Sequence, residues 1–268
     1  TAAYIRLLAA DRPEAASVAR PYVTAYFLGI HDPQSYPAAF ALLQRRMADK
    51  HSALFLVEDA LSPLNDPFLA ARVLDAMADL SGTASLDEER NALLETVEER
   101  QYLVLKAVNQ EARNLLPEEA DLRYKWALAG CDAHVSRFPD GRYVSFMRYQ
   151  KAFILYCLQD YRGAIARAEE FAAAYPDSNF APNALFVEGV SLIALGDSDA
   201  GVKRLISVGD EYPKSVVSPN ALFTAGYQAM TSNDYKVARD CFRRVVDFYP
   251  HSEYAGKCGE LLVKLDAP

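Results

Sequence analysis

Tyr175-Pro176-Asp177-Ser178 recurs through the second half of this chain. It is preceded by Phe138-Pro139-Asp140-Gly141 and followed by Tyr212-Pro213-Lys214-Ser215 and Tyr249-Pro250-His251-Ser252. The four prolines lie 37 residues apart (176 − 139, 213 − 176 and 250 − 213). A fixed period of about 20 to 50 residues marks a chain of stacked supersecondary units, and such chains commonly present a surface to partners.

The interval between markers predicts two helices. Tyr175-Pro176 stops one helix, because proline cannot continue the ladder and disfavours the α region at the residue before it. Asp177 and Ser178 are then expected to cap the next helix. Ala184, Leu185, Val187, Leu192 and Ile193 follow at helical spacing, and Gly196-Asp197 breaks the run. Val202, Leu205, Ile206 and Val208 continue the pattern to Tyr212-Pro213. The other copies keep register. Asp160, Asp197 and Asp234 share the mid-unit turn, while Ala152, Gly189 and Gly226 share a small site in the first helix. Ala164, Gly201 and Ala238 share another in the second helix, and Phe171, Val208 and Val245 an apolar one. Small residues at matched sites let helices approach closely.

These positions resemble tetratricopeptide repeats. The family's small first-helix residue falls on Gly189 and Gly226, its second-helix alanine on Ala164 and Ala238, its aromatic on Phe242 and its closing proline on the four marker prolines. Leu185 and Leu222 stand where the family has tryptophan, and Ala168 and Leu205 lack the aromatic. The extra residues of the longer repeat are expected in 178–182 and 215–219. The Tyr-Pro-x-Ser link resembles repeats of bacterial envelope proteins, namely outer-membrane assembly lipoproteins and coordinators of the Tol–Pal system. The resemblance covers residues 138–260. It implies an all-α, right-handed solenoid of antiparallel helix pairs.

The chain has 268 residues, of which 51% are hydrophobic, enough for packed units. Its net charge of −8 argues against nucleic acid, whose affinity rests on cations paired with phosphates. Arg45-Arg46, Lys203-Arg204 and Arg243-Arg244 read as solvated helix faces. No run reaches the roughly 18 apolar residues of a membrane span. The sequence starts at Thr1 without methionine, as an exported lipoprotein stripped of its leader and lipidated cysteine would, and as a trimmed cytosolic domain would. Periplasmic location is the expectation, with membrane contact only through such a lipid anchor. Cys131, Cys157, Cys241 and Cys258 contain no Cys-x-x-Cys pair and read as small buried residues. Cys241 and Cys258, on successive helices, remain candidates for a bridge in an oxidising compartment.

Residues 1–116 read as a diverged region of helical hairpins and 117–268 as the regular repeats with a capping helix near 253–265. Helices are expected at 15–27, 36–47, 53–61, 68–80, from 87 to about 108, and at 118–138, with Pro117 at the first position of the last. Ala127 lies 37 residues before Ala164 and suggests a degenerate unit there.

Nothing in the sequence carries catalysis. His31, His51, His134 and His251 are dispersed, and there is no nucleophile elbow, phosphate loop or dinucleotide fingerprint. No cofactor or metal is expected. Asp87-Glu88-Glu89 and Glu98-Glu99 read as the wet face of a long helix. If the first helices line a groove, as the resemblance implies, its ladder is Phe146, Tyr149, Phe153 and Tyr156, then Asn183, Phe186, Val190 and Ile193, then Asn220, Phe223, Tyr227 and Met230. Tyr149, Phe153, Phe186, Phe223, Tyr227, Asn183 and Asn220 are the candidate partner-binding set. The same aromatic stripe would also serve core packing between units, so each ring carries two readings. The leading expectation is a non-enzymatic scaffold that docks a protein or peptide partner. The alternative is a small hydrophobic-ligand-binding or transporter-associated repeat protein. Oligomeric state does not follow from the sequence.

Overall fold

The computed structural model describes residues 87–266. The helices expected between 15 and 80, with Arg45-Arg46, His31 and His51, lie outside the described residues. The chain divides into two compact units, 1–107 and 108–268. All described elements are helices: α1 (Asp87–Ala112), α2 (Pro117–Arg137), α3 (Val144–Cys157), α4 (Tyr161–Ala174), α5 (Ala181–Ala194), α6 (Ser198–Glu211), α7 (Ser218–Thr231), α8 (Tyr235–Phe248) and α9 (Ala255–Asp266). From α2 onward each helix packs on the next, and α3 also packs on α5. This is an all-helical array compatible with a tetratricopeptide-like fold. Along α1, Val97, Gln101, Leu105, Val108 and Ala112 form one buried stripe at helical spacing.

The period is exact in the structure. Helices α3, α5 and α7 start at residues 144, 181 and 218; α4, α6 and α8 start at 161, 198 and 235; and all six are 14 residues long. Helix α9 starts at 255, where a further first helix would begin, and so extends the expected cap by one residue beyond 265. Helix α2 starts at Pro117 as expected, with the Glu119 carboxylate accepting from the Leu116 N–H at 3.3 Å.

Two kinds of turn alternate. Within each pair the first helix ends on a residue in the left-handed region: Gln159 (φ 62°), Gly196 (φ 93°) and Asn233 (φ 63°). The next N–H reaches back to the helix, from Asp160 to Leu155 O, Asp197 to Leu192 O and Asp234 to Ala229 O. This is the Schellman closure, which satisfies two terminal carbonyls. The same aspartates cap the second helix, their carboxylates accepting from the N–H of Gly163, Ala200 and Val237 at 3.0, 3.2 and 3.1 Å. Three residues thus end one helix and start the next, which holds the pair antiparallel.

The proline turn joins one pair to the next. Phe138, Tyr175, Tyr212 and Tyr249 share one backbone shape, with φ from −119° to −136° and ψ from 51° to 66°. Their N–H groups all bond four residues back, to His134, Phe171, Val208 and Val245. The marker prolines are all exposed. The tyrosine is explained by its hydroxyl: Tyr212 donates to the Pro176 carbonyl at 3.1 Å and Tyr249 to the Pro213 carbonyl at 2.9 Å. These two markers therefore tie themselves to the marker one unit earlier. The expected capping by Asp177 and Ser178 is corrected. Helix α5 begins after Phe180, without a side-chain cap, and Ser178 Oγ accepts from the Phe180 N–H at 3.2 Å within the turn. Ser215 does the same for Val217 at 3.2 Å. With Pro182 and Pro219 in the first turn of their helices, one terminal donor is absent and needs no cap.

The matched small residues mark the closest contacts. A Cβ on Gly201 would lie 2.7 Å from the Gly189 carbonyl and 2.6 Å from Ile193 Cγ1. One on Gly226 would lie 2.7 Å from Phe242 Cε1. Phe242, Phe171, Leu205 and Leu222 fill the joints and are essentially fully buried. Glu188 is buried at 3% exposure and pairs with Arg204 Nε at 2.7 Å. The equivalent residues are Lys151 and Ala225 on the first helices and Arg167 and Cys241 on the second. One pair therefore carries an ionic contact that its neighbours lack, a device that can fix which helices match.

Gln159 is the only one of the three left-handed residues that is neither glycine nor asparagine, so Gln159→Gly is expected to raise stability by about 0.5–1 kcal/mol, read from urea unfolding. Tyr249→Phe keeps the ring and removes one hydroxyl bond; a loss of about 0.5–1 kcal/mol is expected in the same measurement, and an unchanged midpoint would show that the tie contributes nothing.

Candidate partner-binding groove

Helices α5 and α7 carry almost no charge. Their 28 positions (two helices of 14) contain a single ionisable acid or base of the Asp, Glu, Lys or Arg type, and that is the buried Glu188. Arg167, Glu169, Asp199, Lys203, Arg239 and Arg243 are among the charges on α4, α6 and α8. In these two units the second helix faces solvent with charged side chains and the first does not, whereas α3 carries Arg148 and Lys151.

Three first helices meet at one depression. Tyr156 of α3, Val190, Ile193 and Ala194 of α5, and Phe223, Thr224, Tyr227 and Gln228 of α7 line an open volume of about 330 Å3. Every lining residue comes from a first helix. Tyr227 is half exposed (50%) and forms an accessible wall. Its ring lies 6.2 Å from that of Phe223, which in turn packs 6.3 Å from Phe242 and 5.1 Å from Tyr254. Phe223 is thus both lining and core, and it holds Tyr227 against a fixed base. The Gln228 amide N–H donates to Ser198 Oγ at 3.0 Å, which orients the amide and leaves its carbonyl oxygen as an acceptor.

The other expected site residues are placed differently. Tyr149 stacks flat on Phe180 (5.4 Å, 6°) and lies edge-on to Phe171, and burial pushes its phenol up to about 12, with the Asn183 amide as a hydrogen-bond partner that opposes the shift. Its ring belongs to the packing between units. Phe153 and Phe186 are half-buried against the cores of their units. Asn220 Oδ1 accepts from Thr224 Oγ1 at 3.3 Å within α7. Phe146 is buried beside Phe180. The structure therefore gathers Tyr227 and Phe223 with Tyr156, Val190 and Ile193, and leaves Tyr149, Phe153, Phe186, Asn183 and Asn220 outside the depression. Ala194, Thr224 and Gln228 belong to the site without having been singled out in the sequence. Asn220, Thr224 and Gln228 recur every fourth residue, a polar stripe that helical spacing makes visible; Ala194 matters by its smallness, which a sequence does not advertise.

Among the described residues no group of three or more His, Cys, Asp or Glu is placed to hold a metal ion. All four cysteines are free; Cys157 is half-buried and the other three are buried. Burial pushes the thiols of Cys131 and Cys241 up to about 12 and that of Cys258 up to about 11. Cys241 and Cys258 sit in different core clusters, around Leu205 and around Phe242 respectively. No described helix is long and apolar enough to cross a membrane. The arrangement defines a class, a helical repeat array with an uncharged depression on its first-helix side. No model of a known protein family matches the chain, and no curated protein is detectably similar to it in sequence.

His134, buried in the last turn of α2 against Phe138, is held down to about 4 by desolvation. Between the unfolded value of about 6.5 and that folded value the unfolded chain binds more protons, so stability is lost as pH falls through this window. Glu188, raised by burial, acts in the opposite sense. The stability of the protein is expected to drop by about 1–2 kcal/mol from pH 7 to pH 5 through His134, and the urea midpoint of His134→Gln should be correspondingly flatter over that range.

Proposed function

We propose that this chain is a non-enzymatic scaffold that holds a segment of a partner protein in its first-helix depression. The observation that carries the reading is the convergence of three successive first helices on one open site with a half-exposed tyrosine at its wall. Interfaces are anchored by aromatic side chains at well-packed positions, and Tyr227 on its Phe223 base is such an anchor. The finer assignment, to a bacterial cell envelope with a periplasmic and lipid-anchored form at the outer membrane, is supported by the Tyr-Pro-x-Ser repeats and their resemblance to envelope repeat proteins. A small apolar ligand is the second reading. The volume of about 330 Å3 favours it, at the low end of the about 300–1,000 Å3 typical of ligand pockets, while the openness of the site favours a partner chain.

A photoreactive benzoyl-phenylalanine placed at Tyr227, and separately at the exposed Phe248 of α8, distinguishes these readings in cells. The scaffold requires a discrete protein adduct from position 227 and none from 248. Equal labelling at both positions, or none at 227, overturns it. A small apolar molecule retained in native mass spectrometry, with no protein adduct, establishes the second reading instead. Cell fractionation of the full gene product tests the envelope assignment separately.

A further inference from the structure

The segregation of charge says what the depression takes. Helices α5 and α7 offer no exposed formal charge, and the depression is lined by aliphatic, aromatic, hydroxyl and amide groups alone. A charged side chain entering it would shed water without meeting a counter-charge, which costs several kcal/mol. An apolar side chain entering it gains by the area it removes from water. Two polar groups of the lining are held in place: the Thr224 hydroxyl donates to Asn220 Oδ1, and the Gln228 carbonyl, fixed by the amide N–H hydrogen bond to Ser198 Oγ, suits a backbone N–H.

We infer that the occupant is a neutral segment of a partner protein that inserts one large uncharged side chain, aromatic or branched aliphatic, between Ile193 and Tyr227, with recognition insensitive to salt. This rests on the scaffold reading above and gives it a partner chemistry. The anchor packs on Val190 and Ile193 from one side and on Tyr227 from the other. The neighbouring backbone N–H donates to Gln228 Oε1. Charges of the partner lie outside the depression and add little, because exposed pairs are screened.

The test is a selection of random displayed 12-residue peptides on the whole protein, with affinities of the winners measured at two salt concentrations. Ala194→Arg places a charge at the mouth of the depression. Ala194 is exposed at the last position of α5, where a cation suits the helix dipole, so the fold is retained. Tyr227→Ala removes the outer wall, and circular dichroism confirms folding of both variants. Expected are peptides sharing an uncharged aromatic or aliphatic anchor, with affinity changing less than about twofold between about 0.05 and 0.5 M salt. Each variant should lower that affinity by at least about tenfold. Peptides selected for acidic or basic anchors, sensitive to both variants and to salt, overturn this inference and leave the scaffold reading standing. Peptides indifferent to both variants, or no peptides at all, overturn the scaffold reading with it.

Discussion

The array depends on how closely two backbones can approach where a side chain is missing. A methyl group on Gly201 would press within 2.7 Å of the Gly189 carbonyl, and one on Gly226 would press on the Phe242 ring. Around these points the larger residues, Leu205 and Phe242, occupy the space that the small ones leave. Close packing is unforgiving of added volume. The spacing of the helices within a pair, and through it the surface made by successive first helices, follows from this contact.

The turns convert that contact into a repeat. A three-residue connection with a left-handed residue and a capping aspartate gives the chain little freedom between the helices of a pair. Between pairs the geometry is looser by nature, and the chain spends a side chain on it: Tyr212 and Tyr249 each reach the carbonyl of the previous marker proline. The marker is thus a lattice contact of the array with itself. Its proline stops the helix, and in the last two copies its tyrosine hydroxyl reaches the unit before.

The depression follows from the same plan. Because charges are nearly absent from α5 and α7, these first helices meet across units through apolar and amide groups. Some aromatic rings at these positions are consumed in packing, as Tyr149 is by Phe180 and Phe171. Others remain at the surface, as Tyr227 does. Residues Phe223 and Tyr227 differ by only four positions on one helix, yet one is a base and the other a wall. The distinction comes from Phe242 of α8 and from Tyr254 in the turn just before α9, which back the first and not the second.

The sequence by itself determined the all-helical repeat, its period, the small sites and the mid-unit aspartates, because these depend on residues near in the chain: proline stops a helix, aspartate caps one, and spacing of about 3.6 makes a face. It misplaced the cap of α5: Asp177 and Ser178 lie in the preceding turn, the helix starts after Phe180 without a side-chain cap, and Pro182 leaves one terminal donor fewer to satisfy. Only the tertiary structure decided which rings are buried between units and which line the depression, and why the marker residue is a tyrosine. Those outcomes turn on contacts between residues nearly one repeat apart, such as the Tyr149 ring with Phe180 and the Tyr249 hydroxyl with the Pro213 carbonyl, and spacing along the chain carries no record of them.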